Sequence, residues 1–308
     1  MSDYPQVSGP ELDTEPALAA LVEQLRDRHH DAICAVLMYG SCLRSGDLYD
    51  GLVDLYLICD SYGSAYGYTP LALANHLLPP NVFYAECEIG DATLRSKVTV
   101  ISLADFRKGC SRAWFQSYIW GRFAQPTKVI YSRDAYVLET IEENLLNAVY
   151  TLLHNSLPAL PPSGRLETLW EDALALSYDT ELRTERSGRA RELVLASASF
   201  YKSVTNYHAA SLVFPLALYD DSYRADVPPG LRRTAHLKWR LRRAQGKCLS
   251  VMRLVKALFT FEGGLDYIAW KLERHSGQRV EIPDRVRRRP LIYMWGFFWG
   301  LYQRGIFK

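Results

Sequence analysis

Apolar residues fall at Leu18, Leu21, Val22 and Leu25 with polar positions between them. This is the three- and four-residue spacing of one helix face, and it predicts a helix over 17–28. The periodicity then changes. Residues 33–38 form an unbroken apolar run of strand length, and residues 52–58 form a second run with one charge inside it, Asp54. A turn-rich piece, 40–51, separates them. A tyrosine- and glycine-rich loop over 60–68 leads into a predicted helix over 71–78, which Pro79 and Pro80 end because neither can continue it. Residues 82–89 alternate in the manner of a half-buried strand, and 97–103 supply another.

Beyond about residue 135 strand patterns fade. Helical spacing dominates over 137–153, 166–183, 189–204, 231–257 and 265–274, with a proline-rich linker at 158–162. The class expected is α+β: a mixed sheet with flanking helices, then a mainly helical part. The division is 1–135, 136–285 and a tail at 286–308.

Composition sharpens this picture in three places. The chain has 308 residues and a formal net charge of +2, so its bulk charge steers no partner. The basic residues are unevenly distributed, however. No Asp or Glu occurs from Val227 to Phe261, a window that holds nine Lys and Arg, Lys256 among them. Arg285, Arg287, Arg288 and Arg289 form a second cluster just before the aromatic run 290–302, which includes Trp295. That run is too short to span a bilayer. It reads as a segment lying among headgroups, with Arg287, Arg288 and Trp295 at an anionic membrane surface. The six cysteines show no CxxC pair and the seven histidines no ligand spacing, so neither a zinc site nor a disulfide framework is expected. The acidic, polar stretch 1–15 has the character of neither a signal nor a transit peptide. A cytoplasmic protein, peripheral on the inner face of the membrane, is the expectation.

The candidate chemistry lies between residues 38 and 59. The first strand runs into Gly40-Ser41, and Asp54 stands in the second. Gly40 lets a phosphate approach the backbone closely, and Ser41 offers hydroxyl and amide where a helix starts. A carboxylate in an apolar strand must be paired or hold a metal. Mg2+ bridging Asp54 and a triphosphate satisfies it. This is the signature of the polymerase-beta-like nucleotidyltransferase fold. That fold usually carries a second carboxylate two positions away on the same strand, but here that position is Leu52. The second acid must come from Asp47 or Asp50 in the spacer, or from Glu86 or Glu88 on the next strand; Glu86 is the metal ligand chosen. Glu86 and Glu88 share a strand face, and an exposed polar stripe is their other reading.

From here the sequence resembles the mitochondrial-type phosphatidate cytidylyltransferases, also called translocator assembly and maintenance proteins. Besides Tyr39-Gly40-Ser41 and Asp54, the pieces that carry the resemblance are Lys97 to Ser102, Tyr118 to Pro126 with Gly121-Arg122, Leu176-Ser177-Tyr178 followed by Glu181-Leu182-Arg183, Lys256 to Thr260, and Tyr267 to Lys271. They occur in the family's order over residues 36–275. Departures stand at Val98-Thr99, Glu181 and Gln125, and they bear on substrate more than on fold. The resemblance implies Mg2+-dependent transfer of CMP from CTP to phosphatidic acid, giving CDP-diacylglycerol and pyrophosphate. Asp54, Lys97 and Arg122 are then the catalytic residues, Gly40, Ser41, Ser177, Tyr178 and Arg183 the nucleotide contacts, and Lys256 and Lys271 lipid or headgroup contacts. Taken alone, Lys97 could instead snorkel from a strand end, Arg122 could hold a structural salt bridge, and Glu181 with Arg183 could be a solvated helix-face pair. Two rivals stand beside this reading. One is an ATP-dependent lipid kinase acting on ceramide or diacylglycerol; the other is a non-catalytic membrane-binding relative. The aromatic tail suits lipid better than bases, so no nucleic acid partner is expected.

Overall fold

The computed structural model describes residues 3–49, 51–90, 92–182, 188–260 and 282–288, with Tyr293, Gly296 and Trp299 beyond them. The chain opens with helix α1 (Pro16–Arg28), whose Leu18, Leu21, Val22 and Leu25 are all buried. Strand β1 (Ile33–Tyr39) is buried along its whole length, which explains an apolar run without alternation: both of its faces are covered. A short helix α2 (Ser41–Ser45) leads to β2 (Val53–Cys59). Two small helices follow, α3 (Tyr62–Tyr66) and α4 (Pro70–Leu77); the first was expected as loop. A long hairpin comes next, β3 (Asn81–Ile89) and β4 (Ala92–Ser102), and then helices α5 (Leu103–Cys110) and α6 (Trp120–Phe123) and strand β5 (Lys128–Ser132).

These strands form one five-stranded sheet in the order β3-β4-β2-β1-β5. β2 and β4 run parallel and the other neighbours antiparallel, so the sheet is mixed. One face, with Val36, Met38, Leu55, Leu57 and Val98, packs against α1 in a core of its own. The opposite face, with Leu37, Tyr39, Tyr56, Ile58 and Ile101, packs against Phe106, Trp120, Phe123 and the 22-residue helix α7 (Ala135–Ser156).

That second core continues past residue 135 without a break, into α8 (Leu166–Tyr178), α9 (Arg189–Ala196) and α10 (Ala198–Ala209). The helix expected over 189–204 is two helices that meet at Ser197. The C-terminal part also holds a small antiparallel sheet that the sequence pattern did not suggest, β6 (Ser163–Arg165), β7 (Leu216–Tyr219) and β8 (Ser222–Ala225), in the order β6-β8-β7. The 32-residue helix α11 (Pro229–Thr260) then returns to the start of β3. A short helix, α12, covers Asp284–Arg288. The helix expected over 265–274 and the aromatic run expected over 290–302, Trp295 included, lie outside the described residues, apart from Tyr293, Gly296 and Trp299.

Candidate active site

Strand pairing assembles the site. Tyr39 is opposite Asp54, Asp54 opposite Lys97, and Lys97 opposite Tyr84, so these four form one row across β1, β2, β4 and β3. Paired residues project to the same side of a sheet, and Tyr39 and Tyr56 fix that side as the one packed on α6 and α7. Asp54 is the one partly exposed residue in an otherwise buried strand. Neither its carboxylate nor the Lys97 ammonium has a hydrogen bond or ion pair among the described residues.

Gly40 adopts φ +91°, ψ −159°, a backbone conformation that L side chains rarely take. The space is equally restrictive, because a Cβ at this position would come 2.6 Å from Asp54 Oδ2. Glycine therefore satisfies two demands at once, a sharp exit from β1 and room beside the carboxylate. Ser41 begins α2 and is exposed. That helix has five residues, so its dipole is small; bare backbone next to Asp54 is what the turn provides.

Arg122 completes the floor of the site. It is 8% exposed, donates from Nη1 to the Tyr39 hydroxyl at 3.0 Å and from Nη2 to Glu181 Oε2 at 3.4 Å, and leaves its buried Nε without a partner. Burial works against its charge, but the surrounding tyrosines and Glu181 hold its pKa well above the ordinary value. Glu181, expected to pair with Arg183, forms an ion pair with Arg122; Arg183 lies outside the described residues. Tyr118, one turn before Arg122, has that guanidinium 4.9 Å from its ring centre and the guanidinium of Arg253, from α11, at 4.1 Å. Burial pushes the Tyr118 phenol up, yet Arg122, Arg253 and Lys97 together pull it below its ordinary value against the opposing charge of Glu181.

Other candidates fall elsewhere. The Glu86 carboxylate accepts from the Tyr84 hydroxyl at 2.7 Å and lies 3.9 Å from Arg95 Nε. Strand β4 stands between it and Asp54, so two strand spacings, roughly 10 Å, separate the two backbones. In this structure the Glu86 carboxylate is engaged by Tyr84 and Arg95. Asp47 accepts from the Tyr49 amide at 2.8 Å, Glu88 is exposed, and Asp50 lies outside the described residues. Ser177 is buried, bonded to the Leu174 carbonyl at 2.8 Å, and packed where a Cβ on Gly121 would meet its own Cβ at 2.7 Å. Tyr178 packs partly buried against the core. Lys256, expected at a lipid headgroup, is used inside the protein instead: its ammonium donates to Asn75 Oδ1 at 2.8 Å and to the carbonyls of Leu78 and Pro80 at 2.7 Å each. Burial lowers its pKa to about 8. Lys271 and the side chains of Arg287 and Arg288 lie outside the described residues.

Does this site fit a magnesium ion? Asp54 is a partly buried carboxylate with no hydrogen-bond or ion-pair partner among the described residues, facing a glycine whose missing side chain keeps the space open. It is suited to hold one edge of an ion whose remaining ligands are phosphate oxygens and water. No group of three or more His, Cys, Asp or Glu with metal-ligand geometry occurs among the described residues. An ion here would rest on Asp54 and on its substrate.

No family model and no curated protein matches the chain. Among solved structures it is similar to a nucleotidyltransferase-like protein from Exiguobacterium sibiricum 255-15, at 11% identity, over 95% of this chain and 92% of that one, with a TM-score of 0.28. A likeness that remote carries no argument about chemistry.

Proposed function

We propose that the chain is a nucleotidyltransferase, and specifically that it transfers CMP from CTP to phosphatidic acid with Mg2+. One observation supports this above the others: an unpaired carboxylate, Asp54, rests against a side-chain-free turn at Gly40, with the Lys97 ammonium in register beside it. Charge of both signs then lies next to accessible backbone, as polyphosphate transfer requires. Magnesium, when bound, would screen the approach of one anion to another. The remaining work falls to the chain's own residues. Gly40 and Ser41 leave room for the β- and γ-phosphates, Lys97 neutralises them, and Arg122 fixes Tyr39 behind the carboxylate. A phosphate oxygen of the lipid forms a bond to the α-phosphorus, the bond to the bridging oxygen breaks, and pyrophosphate departs with that electron pair. No proton has to be moved if the lipid phosphate is ionised, so positioning and charge are sufficient.

The outer face of α11 supports a lipid acceptor. Leu237, Leu241, Val251, Met252 and Val255 are exposed on one stripe, bordered by exposed Arg233, Arg240 and Lys247. Exposed apolar residues beside basic ones suit an anionic bilayer surface. No helix among the described residues is long and apolar enough to cross a membrane.

The test is purified protein with Mg2+, each of the four ribonucleoside triphosphates and a mixed lipid panel, with products identified by mass spectrometry. CDP-diacylglycerol from CTP, lost in Asp54→Ala, is expected. A phosphorylated ceramide or diacylglycerol from ATP would replace this reading with the lipid kinase. A second reading, a non-catalytic membrane-binding relative, draws on Leu52 standing where a second strand carboxylate is usual, and absence of product with every pair would favour it.

A further inference from the structure

Arg253 has a role that neither the sequence motifs nor the proposed chemistry uses. It comes from α11, 131 positions after Arg122, and its guanidinium lies 4.1 Å over the ring of Tyr118. Its two hydrogen bonds go to neutral acceptors: Nε donates to the Pro79 carbonyl at 3.1 Å and Nη2 to Gln116 Oε1 at 2.7 Å. Its third nitrogen, Nη1, has no hydrogen bond among the described residues, and neither has the Tyr118 hydroxyl. The Arg122 guanidinium lies 4.9 Å from the centre of the same ring, and the Lys97 charge acts on the same phenol. Glu181 answers Arg122. No carboxylate forms an ion pair with Arg253 among the described residues; burial and the nearby Arg122 disfavour its charge, and Tyr118, Tyr56 and the Glu181 already paired with Arg122 only partly offset them. A half-buried cation whose hydrogen bonds all go to neutral acceptors, in a group of three cations with one ion-paired carboxylate, is costly unless an anion completes the group. The planar fork of an arginine suits phosphate oxygens.

We propose that Arg253, stacked on Tyr118, is an anion-binding residue of this site, and that with Lys97 it holds a phosphoryl group beside Asp54. The inference rests on the site reading above and extends it to α11. The anion is either the polyphosphate of the nucleotide or the phosphate monoester of the acceptor, two sources with one chemistry.

Isothermal titration calorimetry on the full chain separates them, with sodium tripolyphosphate and glycerol phosphate as probes. The proteins are wild type, Arg253→Gln, Arg253→Lys, Lys97→Gln and, as a control on the same helix, Arg243→Gln, whose partner is Asp179 at the surface. Arg253→Gln is expected to weaken one probe at least tenfold and Arg253→Lys about threefold, while Arg243→Gln stays within twofold. Loss confined to tripolyphosphate assigns Arg253 to the nucleotide; loss confined to glycerol phosphate assigns it to the acceptor. Both probes within twofold of wild type in Arg253→Gln and Arg253→Lys would overturn the inference. If Arg253→Gln does not fold, Arg253→Lys decides alone. Tenfold loss in Arg253→Gln with none in Lys97→Gln keeps Arg253 and removes the reading of the Asp54 row. A wild type that binds neither probe removes both.

Discussion

A single methyl group at Gly40 is the most economical probe of the site. Gly40→Ala must either leave φ +91° or push Asp54 aside. Strain of that kind costs roughly 1–3 kcal/mol, and displacing a reacting group by about 1 Å costs on the order of a hundredfold in rate. Thermal unfolding and the proposed CDP-diacylglycerol formation, measured on the same preparation, should show a modest loss of stability and a far larger loss of turnover. Equal losses would make the glycine structural only. Tyr118 offers an independent reading. Its phenol is held below its ordinary value by three cations, so in a spectrophotometric titration one tyrosine should ionise ahead of the rest. Tyr118→Phe should remove that step, and added tripolyphosphate should move it upward by neutralising the cations around it. A first step that survives in Tyr118→Phe belongs to another tyrosine.

Among the elements, what could be read in advance depended on burial. β1 and β2 were legible because both faces are covered and their sequences are apolar throughout. Asp54 was legible because it interrupts such a run. β6 was not, since Ser163–Arg165 is exposed and polar and joins its sheet by backbone pairing to β8. β5 is only half-buried and five residues long, too short to show a period. The break at Ser197 carries no proline or glycine to signal it. Lys97 and Arg122 were singled out in advance, but the convergence around them was not: Tyr118, Glu181 and Arg253 are brought together by three different segments, and no spacing rule joins them. Packing between elements can be tested directly. Alanine normally stabilises a helix interior over glycine by about 1 kcal/mol. A Cβ on Gly246 of α11, however, would run into the Thr180 carbonyl at the end of α8. Gly246→Ala should therefore destabilise by about 1–3 kcal/mol, seen as a lower urea midpoint; a raised midpoint would mean that α11 can shift outward freely.

For the molecule as a whole, acid should be the weak side. His208 is 5% exposed, and burial lowers its pKa to about 4; His154, half-buried beside Arg112, Lys238 and Arg242, is likewise lowered to about 4. Their unfolded forms take up protons below about pH 6.5 while the folded forms do not. Stability is therefore complete above that value and falls as pH drops toward 4. His208 alone should cost about 2 kcal/mol at pH 5. Urea unfolding at pH 7 and pH 5 should show this, and His208→Phe should flatten the dependence. The proposed membrane contact is testable at this scale. Vesicles rich in phosphatidylglycerol should sediment the protein, neutral phosphatidylcholine vesicles should not, and Leu241→Glu on the exposed stripe of α11 should reduce binding at least tenfold. Equal sedimentation of Leu241→Glu would move the contact to another surface.

The grip of Lys256 on Asn75, Leu78 and Pro80 joins positions 181, 178 and 176 residues apart. On a ribosome, the loop that leads into β3 is made early, but the ammonium that ties it down is made only after most of the polypeptide has emerged. The order of synthesis and the order of completion are therefore opposed. A nascent chain stopped before α11 can pair its strands, yet it leaves the Pro79 and Pro80 carbonyls unbonded by Arg253 and Lys256 and one face of Tyr118 uncovered. Until α11 docks, such an intermediate is without part of its cationic wall, and a released fragment of the sheet alone would carry Asp54 without the cations gathered around Tyr118.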